Sequence, residues 1–162
     1  MLFTDVSDDH PYFDAIAWAK ETGVIGGYPD GTFQPDRTVN RAEFLKIVLE
    51  DLGSDIPSAG SLNFSDVEES AWYASYVDAG KRAGIIQGYP DGTFRPGVTV
   101  NIAEALKMAY KALNIATNPS NGPWYQEFYD HAQINDILFE ALNPSEGMKR
   151  KDVVWIVWRL SQ

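Results

Sequence analysis

Hydrophobic positions near the start of the chain recur at helical spacing and predict a first short helix that begins near Tyr12. Its apolar face is formed by Tyr12, Ile16 and Ala19, with Phe13 and Ala17 beside them. Gly23 then stands where helices commonly end in the left-handed backbone region. We therefore expect this helix to end there, before the sequence Val-Ile-Gly-Gly.

A second helix is predicted from Asn40, because Asn is a favourable N-cap residue and Glu43 completes a capping box three residues later. Its apolar stripe, at spacing i, i+3, i+4 and i+7, is Leu45, Val48, Leu49 and Leu52. Stripes of this kind usually form a buried core, and we interpret both helices in that way.

The same pattern occurs a second time when the chain is shifted by 61 residues, which places Phe3 on Phe64 without a gap. Residues 27–33 and 88–94 both have the sequence Gly-Tyr-Pro-Asp-Gly-Thr-Phe. A third copy is fainter, because it keeps Trp-Tyr at 124–125 but lacks the Gly-Tyr-Pro-Asp-Gly loop.

These matches divide the chain into repeat 1 (1–53), a linker (54–63), repeat 2 (64–115), a second linker (116–123) and a degenerate repeat 3 (124–162). A single helix pair of about 50 residues buries too little surface to fold alone. We therefore expect three helix-loop-helix repeats packed into one compact, all-α, pseudo-threefold unit.

Composition narrows the function classes. The chain has 13 Lys and Arg against 23 Asp and Glu, and this net charge of −10 argues against nucleic-acid binding. The absence of cysteine excludes disulfides, thiolate metal sites and a cysteine nucleophile. The sequence predicts no bilayer span and no signal peptide. We expect either a cytoplasmic protein or a piece of a longer exported one.

The sequence motifs do not indicate a catalytic site or a metal site. Tyr28-Pro29-Asp30-Gly31 has the signature of a type I turn, and an EF-hand would need a glutamate where Arg37 stands. His10 and His131 lack metal-ligand spacing and a nucleophile motif. A glycosidase-like carboxylate pair stays open. The sequence otherwise predicts no catalytic residue, no metal and no cofactor.

Two arginines stand at helix starts, where the helix dipole favours anions. Arg41 is the first residue of the second helix and Arg150 is its equivalent in repeat 3, whereas Ile102 replaces it in repeat 2. Free helix N–H groups and an arginine fork could together hold a carboxylate; a surface ion pair is the alternative. Gly27 and Gly88 could serve either backbone geometry or the approach of a ligand.

These residues resemble the S-layer homology domain family. The pattern is Phe-x-Asp-Val, Trp-Tyr, a helix ending in Gly-Ile or Gly-Val, Gly-Tyr-Pro-Asp-Gly-Thr-Phe-x-Pro and Val-x-Arg-Ala-Glu, and it covers nearly the whole chain. The resemblance implies a three-lobed spindle around a central three-helix bundle, with ligand grooves between adjacent copies. It further implies a non-enzymatic module that anchors a longer exported protein at the bacterial cell surface.

The implied ligand is a secondary cell-wall polysaccharide that carries a pyruvylated amino sugar. The motif arginine, Arg41 or more weakly Arg150, is expected to face the pyruvyl carboxylate, so Arg41→Ala should weaken retention more than Arg150→Ala. The other implied ligand-binding residues are Gly27, Gly88, Asp5, Asp66, Trp72 and Trp124. The aspartates could instead cap helix starts, and the tryptophans could instead lie in the core.

Ile102 and the missing third loop favour one or two working grooves rather than three. Two other functions compete with glycan binding. One is a hydrolase, since surface proteins often carry such trios beside enzymes. The other is a protein–protein or lattice-assembly module without direct glycan binding, which exposed aromatic residues would favour.

Overall fold

The structure, a computed structural model, describes residues 1–51 and 63–162. It has six α-helices in these ranges: α1 (Phe13–Thr22), α2 (Arg41–Asp51), α3 (Ala74–Arg82), α4 (Ile102–Leu113), α5 (Gln126–Ile134) and α6 (Arg150–Leu160). The predicted all-α class is confirmed. Leu52 and nearly all of the first predicted linker lie outside the described residues.

The local helix signals predicted from the sequence are present. Gly23 ends α1 with φ 75°, in the left-handed region. The capping box of α2 is complete, because the Asn40 side chain accepts from the Glu43 N–H at 2.8 Å and the Glu43 carboxylate accepts from the Asn40 N–H at 3.0 Å. Asn101 and Glu104 form the same box at α4. These caps fix where each long helix begins.

Helices from different copies pack against each other. The first helix of each copy contacts the second helix of a neighbouring copy, so that α3 packs on α2, α5 on α4 and α1 on α6. α2 also contacts both α4 and α6. The predicted stripes are buried here: Ile16, Leu45 and Leu106 are each fully inaccessible to solvent. The buried residues of the three copies form one shared core.

A closed ring of backbone hydrogen bonds joins the three copies just before α2, α4 and α6. Val39 N–H donates to the Met148 carbonyl at 3.0 Å, Met148 N–H to the Val100 carbonyl at 2.8 Å, and Val100 N–H to the Val39 carbonyl at 3.0 Å. This cyclic order relates the three helix starts by pseudo-threefold symmetry. The full three-lobed spindle stays a prediction.

Candidate ligand-binding grooves

Two surface grooves share one plan, and each takes residues from all three copies. The first, here called the Trp72 groove, has a volume of about 340 Å³. Repeat 1 supplies the loop 24–28 and the α2 side chains Glu43 and Lys46. Repeat 2 supplies Trp72, and repeat 3 supplies Arg150.

The second, here called the Trp124 groove, has a volume of about 260 Å³. Repeat 2 supplies the loop 85–89 and the α4 side chains Glu104 and Lys107. Repeat 3 supplies Trp124, and repeat 1 supplies Arg41. The shift of 61 residues superimposes the loop, glutamate and lysine of one groove on those of the other. The grooves are therefore equivalent products of the repeat.

Each predicted arginine reaches across to the loop of a different copy. Arg150 Nε donates to the Phe33 carbonyl at 2.8 Å and one terminal nitrogen donates to the Gly26 carbonyl at 2.7 Å. The guanidinium carbon lies 4.8 Å from the centre of the Tyr28 ring and 4.7 Å from that of Phe33. Burial lowers the pKa of Arg150, because the charged form loses water.

Arg41 has the matching position in the other groove. Its Nε donates to the Phe94 carbonyl at 2.9 Å, and its guanidinium carbon lies 4.9 Å from the centre of the Tyr89 ring. It is only 5% exposed, and its Nη1 forms an ion pair of 3.2 Å with Glu104. The predicted alternative of an arginine paired with a nearby acid is thus present at Arg41, although that pair lies in a groove and not on the open surface.

The expectation that free N–H groups at the helix starts help to hold a carboxylate is wrong. In α2 the first two N–H groups, those of Arg41 and Ala42, donate to the carbonyls of Val98 and Pro96 at 2.9 and 3.1 Å. In α6 the first two N–H groups donate in the same way, to the carbonyls of residues 37 and 35. Contacts between copies occupy these donors, so the arginine side chains are left to bind an anion.

Asp5 and Asp66 hold the loops rather than capping helices. The Asp5 carboxylate accepts from the backbone N–H groups of Phe33 and the next residue, both at 2.7 Å. Asp66 accepts from Phe94 N–H and its successor in the same way, both at 2.8 Å. The alternative of a helix cap is therefore wrong. Both aspartates position the carbonyls to which the groove arginines donate, since those carbonyls belong to Phe33 and Phe94.

The structure gives Gly27 and Gly88 a packing reason. A Cβ on Gly27 would overlap the Phe3 ring and lie 2.8 Å from the Thr32 carbonyl oxygen. A Cβ on Gly88 would overlap the Phe64 ring in the same manner. Gly88 also lines the Trp124 groove, whereas the neighbours of Gly27 line the Trp72 groove. Their part in ligand binding stays a prediction.

Trp72 and Trp124 are half-exposed, at 53% and 54%, so the alternative that they lie in the core is wrong. Each ring is held edge-on by the next tyrosine in the chain, with ring centres 5.3 and 5.5 Å apart. The Lys107 ammonium lies 5.2 Å from the centre of the Trp124 ring. An exposed aromatic face beside a cation is suited to packing against a sugar ring that carries a negative group.

A third groove of the same plan would lie between repeats 3 and 1, but aromatic side chains fill that position. Trp155 occupies the α6 position that Lys46 and Lys107 have in the two grooves. Its ring centre lies 4.8 Å from that of Phe139, which in turn lies 4.4 Å from that of Tyr12. Ile102, at the arginine position, is fully buried. The number of grooves that bind ligand stays a prediction.

Sequence reasoning did not single out the groove lysines, Lys46 and Lys107, or the groove glutamates, Glu43 and Glu104. The signal was available, because all four are identical between the first two copies. From the sequence alone, the glutamates are explained as capping-box residues and the lysines as ordinary helix residues. That they share a groove with the tryptophan and the arginine of other copies depends on how the copies pack together.

Comparison with known proteins agrees with this architecture. The family model of the S-layer homology domain matches residues 2–45 and 63–106, which together make up just over half of the chain. The chain therefore belongs to the S-layer homology domain family. This domain is a non-catalytic anchoring module.

Several curated relatives are similar over most of this chain. A cellulosome-anchoring protein of Acetivibrio thermocellus is 36% identical over 126 residues, which are 75% of this chain and 28% of that protein. Cell surface glycoprotein 1 of the same species is 34% identical over 129 residues, 74% of this chain and 6% of that protein. The middle cell wall protein of Brevibacillus brevis is 30% identical over 135 residues, 81% of this chain and 13% of that protein.

The chain thus spans less than a third of the length of these relatives. The similarity supports a cell-surface location and a role as an envelope-anchoring module. None of the helices within residues 1–51 and 63–162 is long and apolar enough to cross a membrane. In the same ranges, no group of three or more histidine or carboxylate side chains is placed to hold a metal ion.

Proposed function

We propose that this chain anchors a longer exported protein to the cell envelope by binding an anionic secondary cell-wall polysaccharide, with a pyruvylated amino sugar as the recognised unit. The observation that carries the proposal is the repeated construction of the two grooves. Each combines a partly or fully buried arginine, a lysine and a half-exposed tryptophan, contributed by different copies.

The arginines supply donors for a carboxylate. A guanidinium has five N–H donors, and Arg150 uses two of them on backbone carbonyls. The remaining donors can form charge-assisted hydrogen bonds, which are about twice as strong as neutral ones. The Phe33 and Gly26 carbonyls fix the orientation of the fork before the ligand arrives, which lowers the entropy lost on binding.

The ring of the sugar has a separate contact. The faces of Trp72 and Trp124 are available to pack against it, and Lys46 and Lys107 lie beside them in the grooves. A chain with a net charge of −10 gains no long-range attraction for an acidic glycan. Retention therefore depends on short contacts within the grooves. The proposed role uses no catalysis, metal or cofactor.

Retention on purified, pyruvylated wall polysaccharide tests this function. The double variant Arg41→Ala/Arg150→Ala should lose most of its retention, because each groove loses the arginine that lines it. Arg159→Ala is the control, since Arg159 lies outside both grooves and makes one long hydrogen bond of 3.4 Å to the Asn135 carbonyl. Thermal unfolding of each variant verifies that the fold persists.

Equal retention of wild type and the double variant would overturn the site assignment. Retention that survives removal of the pyruvyl groups but requires another surface protein would favour the alternative of a lattice-assembly module. The half-exposed tryptophans are the observation on this chain that would fit such a module.

A further inference from the structure

The two grooves differ in whether a carboxylate side chain is paired with their arginine. In the Trp124 groove, Glu104 Oε1 lies 3.2 Å from Arg41 Nη1 and accepts from the Tyr89 hydroxyl at 2.9 Å. Among the described residues, no carboxylate forms an ion pair with Arg150 within 4.0 Å in the Trp72 groove. The aligned Glu43 is close enough to act on Arg150 electrostatically but not to pair with it.

One aligned pair of residues, Arg37 in repeat 1 and Val98 in repeat 2, differs beside the groove tyrosines. In repeat 1, Arg37 Nη1 donates to the Tyr28 hydroxyl. The aligned residue in repeat 2 is Val98, which has no side-chain donor, and here Tyr89 donates to Glu104 instead. The tyrosine hydroxyl thereby holds the Glu104 carboxylate beside Arg41.

Arg95, the other cation near Tyr89, does not add a free positive charge to the Trp124 groove. Arg95 stacks on the Tyr89 ring at 3.8 Å, but it is paired with Asp91 at 3.1 Å. In the Trp72 groove, by contrast, Arg37 adds a second positive charge next to Arg150, and its guanidinium lies 5.1 Å from the centre of the Tyr28 ring. Arg150 thus has a second guanidinium nearby and no carboxylate within ion-pair distance among the described residues, whereas Arg41 is paired with Glu104.

We propose that the Trp72 groove is the anion-selective site, and that the Trp124 groove, whose arginine is already paired with Glu104, accepts an uncharged sugar unit of the same glycan. This rests on the proposed function and assigns different ligand chemistry to its two grooves. A carboxylate entering the Trp124 groove would meet the Glu104 charge within a few ångströms of Arg41, and like charges at that distance repel strongly near a protein surface. Arg150→Ala should therefore weaken retention more than Arg41→Ala, the reverse of the order expected from the motif.

The test is an NMR titration in which the indole N–H signals of Trp72 and Trp124 report on the two grooves separately, assigned with Trp72→Phe and Trp124→Phe. The probes are a synthetic pyruvylated amino sugar and the same sugar without the pyruvyl group. In wild type, the Trp72 signal should respond to the pyruvylated sugar at roughly tenfold lower concentration than the Trp124 signal, which corresponds to about 1.4 kcal/mol.

Glu104→Gln is the key variant, because glutamine retains the capping function at this helix position. It should raise the affinity of the Trp124 groove for the pyruvylated sugar about tenfold (about 1.4 kcal/mol) and change its affinity for the neutral sugar by much less. Glu43→Gln is the matched control and should change the Trp72 groove much less. Val98→Arg gives an independent variant at a half-exposed position, and it should raise the affinity of the Trp124 groove for the pyruvylated sugar as well.

The outcomes separate the two proposals. If both indole signals respond equally to the pyruvylated sugar, and neither Glu104→Gln nor Val98→Arg changes the response, the inference is wrong and the proposed function stands. If neither indole signal responds to the pyruvylated sugar in any variant, the proposed function itself is overturned, and the inference with it.

Discussion

Gly88→Ala distinguishes a packing role from a ligand-contact role for the glycine before the Pro-Asp-Gly turn. Gly88 has φ 79°, and an added Cβ would overlap the Phe64 ring and lie 2.9 Å from the Thr93 carbonyl oxygen. Gly92 provides a matched control in the same loop, because its φ is 81° but a Cβ there would meet no atom within 4 Å. The pair thus separates steric overlap from backbone conformation.

The expected magnitudes follow from this geometry. An alanine in the left-handed region costs about 1–2 kcal/mol, and the reduced entropy of the unfolded chain offsets about 0.4–1 kcal/mol of that. Gly92→Ala should therefore lower the free energy of unfolding by about 0.5–1 kcal/mol. Gly88→Ala should lower it by about 1.5–4 kcal/mol, since overpacking a core adds about 1–3 kcal/mol.

Urea unfolding followed by tryptophan fluorescence measures both values, and thermal unfolding should show a shift of roughly 2–4 °C for each kcal/mol. The packing explanation predicts that Gly88→Ala is clearly less stable than Gly92→Ala. Equal stability of the two variants, with polysaccharide binding lost only in Gly88→Ala, would refute the packing explanation and indicate that this glycine admits the ligand.

Three further predictions concern stability. Asp66→Ala should destabilise the fold by about 2–3 kcal/mol in urea unfolding, because two backbone N–H groups lose a charged acceptor; an effect below 0.5 kcal/mol would contradict this. Trp155→Ala should cost about 2–3 kcal/mol, since it opens the aromatic cluster between repeats 3 and 1, while retention on polysaccharide should persist if this interface is not a ligand site. Burial raises the pKa of Asp152 above its ordinary value of 3.8, so its contribution to stability is present below that value and is lost as the pH rises through the raised folded-state pKa. Asp152→Asn should flatten the pH dependence of unfolding in that window, and an unchanged profile would argue against this assignment.

The helices were predictable because their signals are local. The capping boxes at Asn40 and Asn101 and the apolar stripes depend on residues within a turn or two of each other, and the structure has them where the sequence predicts them. The repeat also identified the candidate arginines, since equivalent positions in similar copies share an environment.

The contacts that decide the site were not predictable in this way. Arg41 donates to the Phe94 carbonyl, 53 residues away, and Arg150 to that of Phe33, 117 residues away. The same packing of copies uses up the helix N–H groups that sequence reasoning left free. The pairing of Arg41 with Glu104 also joins side chains from two different copies. These features arise from the arrangement of the copies, which no local pattern encodes.

The central claim is that the two grooves bind a pyruvylated glycan, and one retention experiment tests it most directly. Wild type, the double variant Trp72→Ala/Trp124→Ala and the control Ile134→Ala, altered at a position that is 80% exposed, are each applied to wall polysaccharide with and without its pyruvyl groups. We predict that wild type and control are retained much more strongly on the pyruvylated polymer than on the polymer without pyruvyl groups, and that the double variant is lost from both. Retention of all three proteins on both polymers would contradict the account.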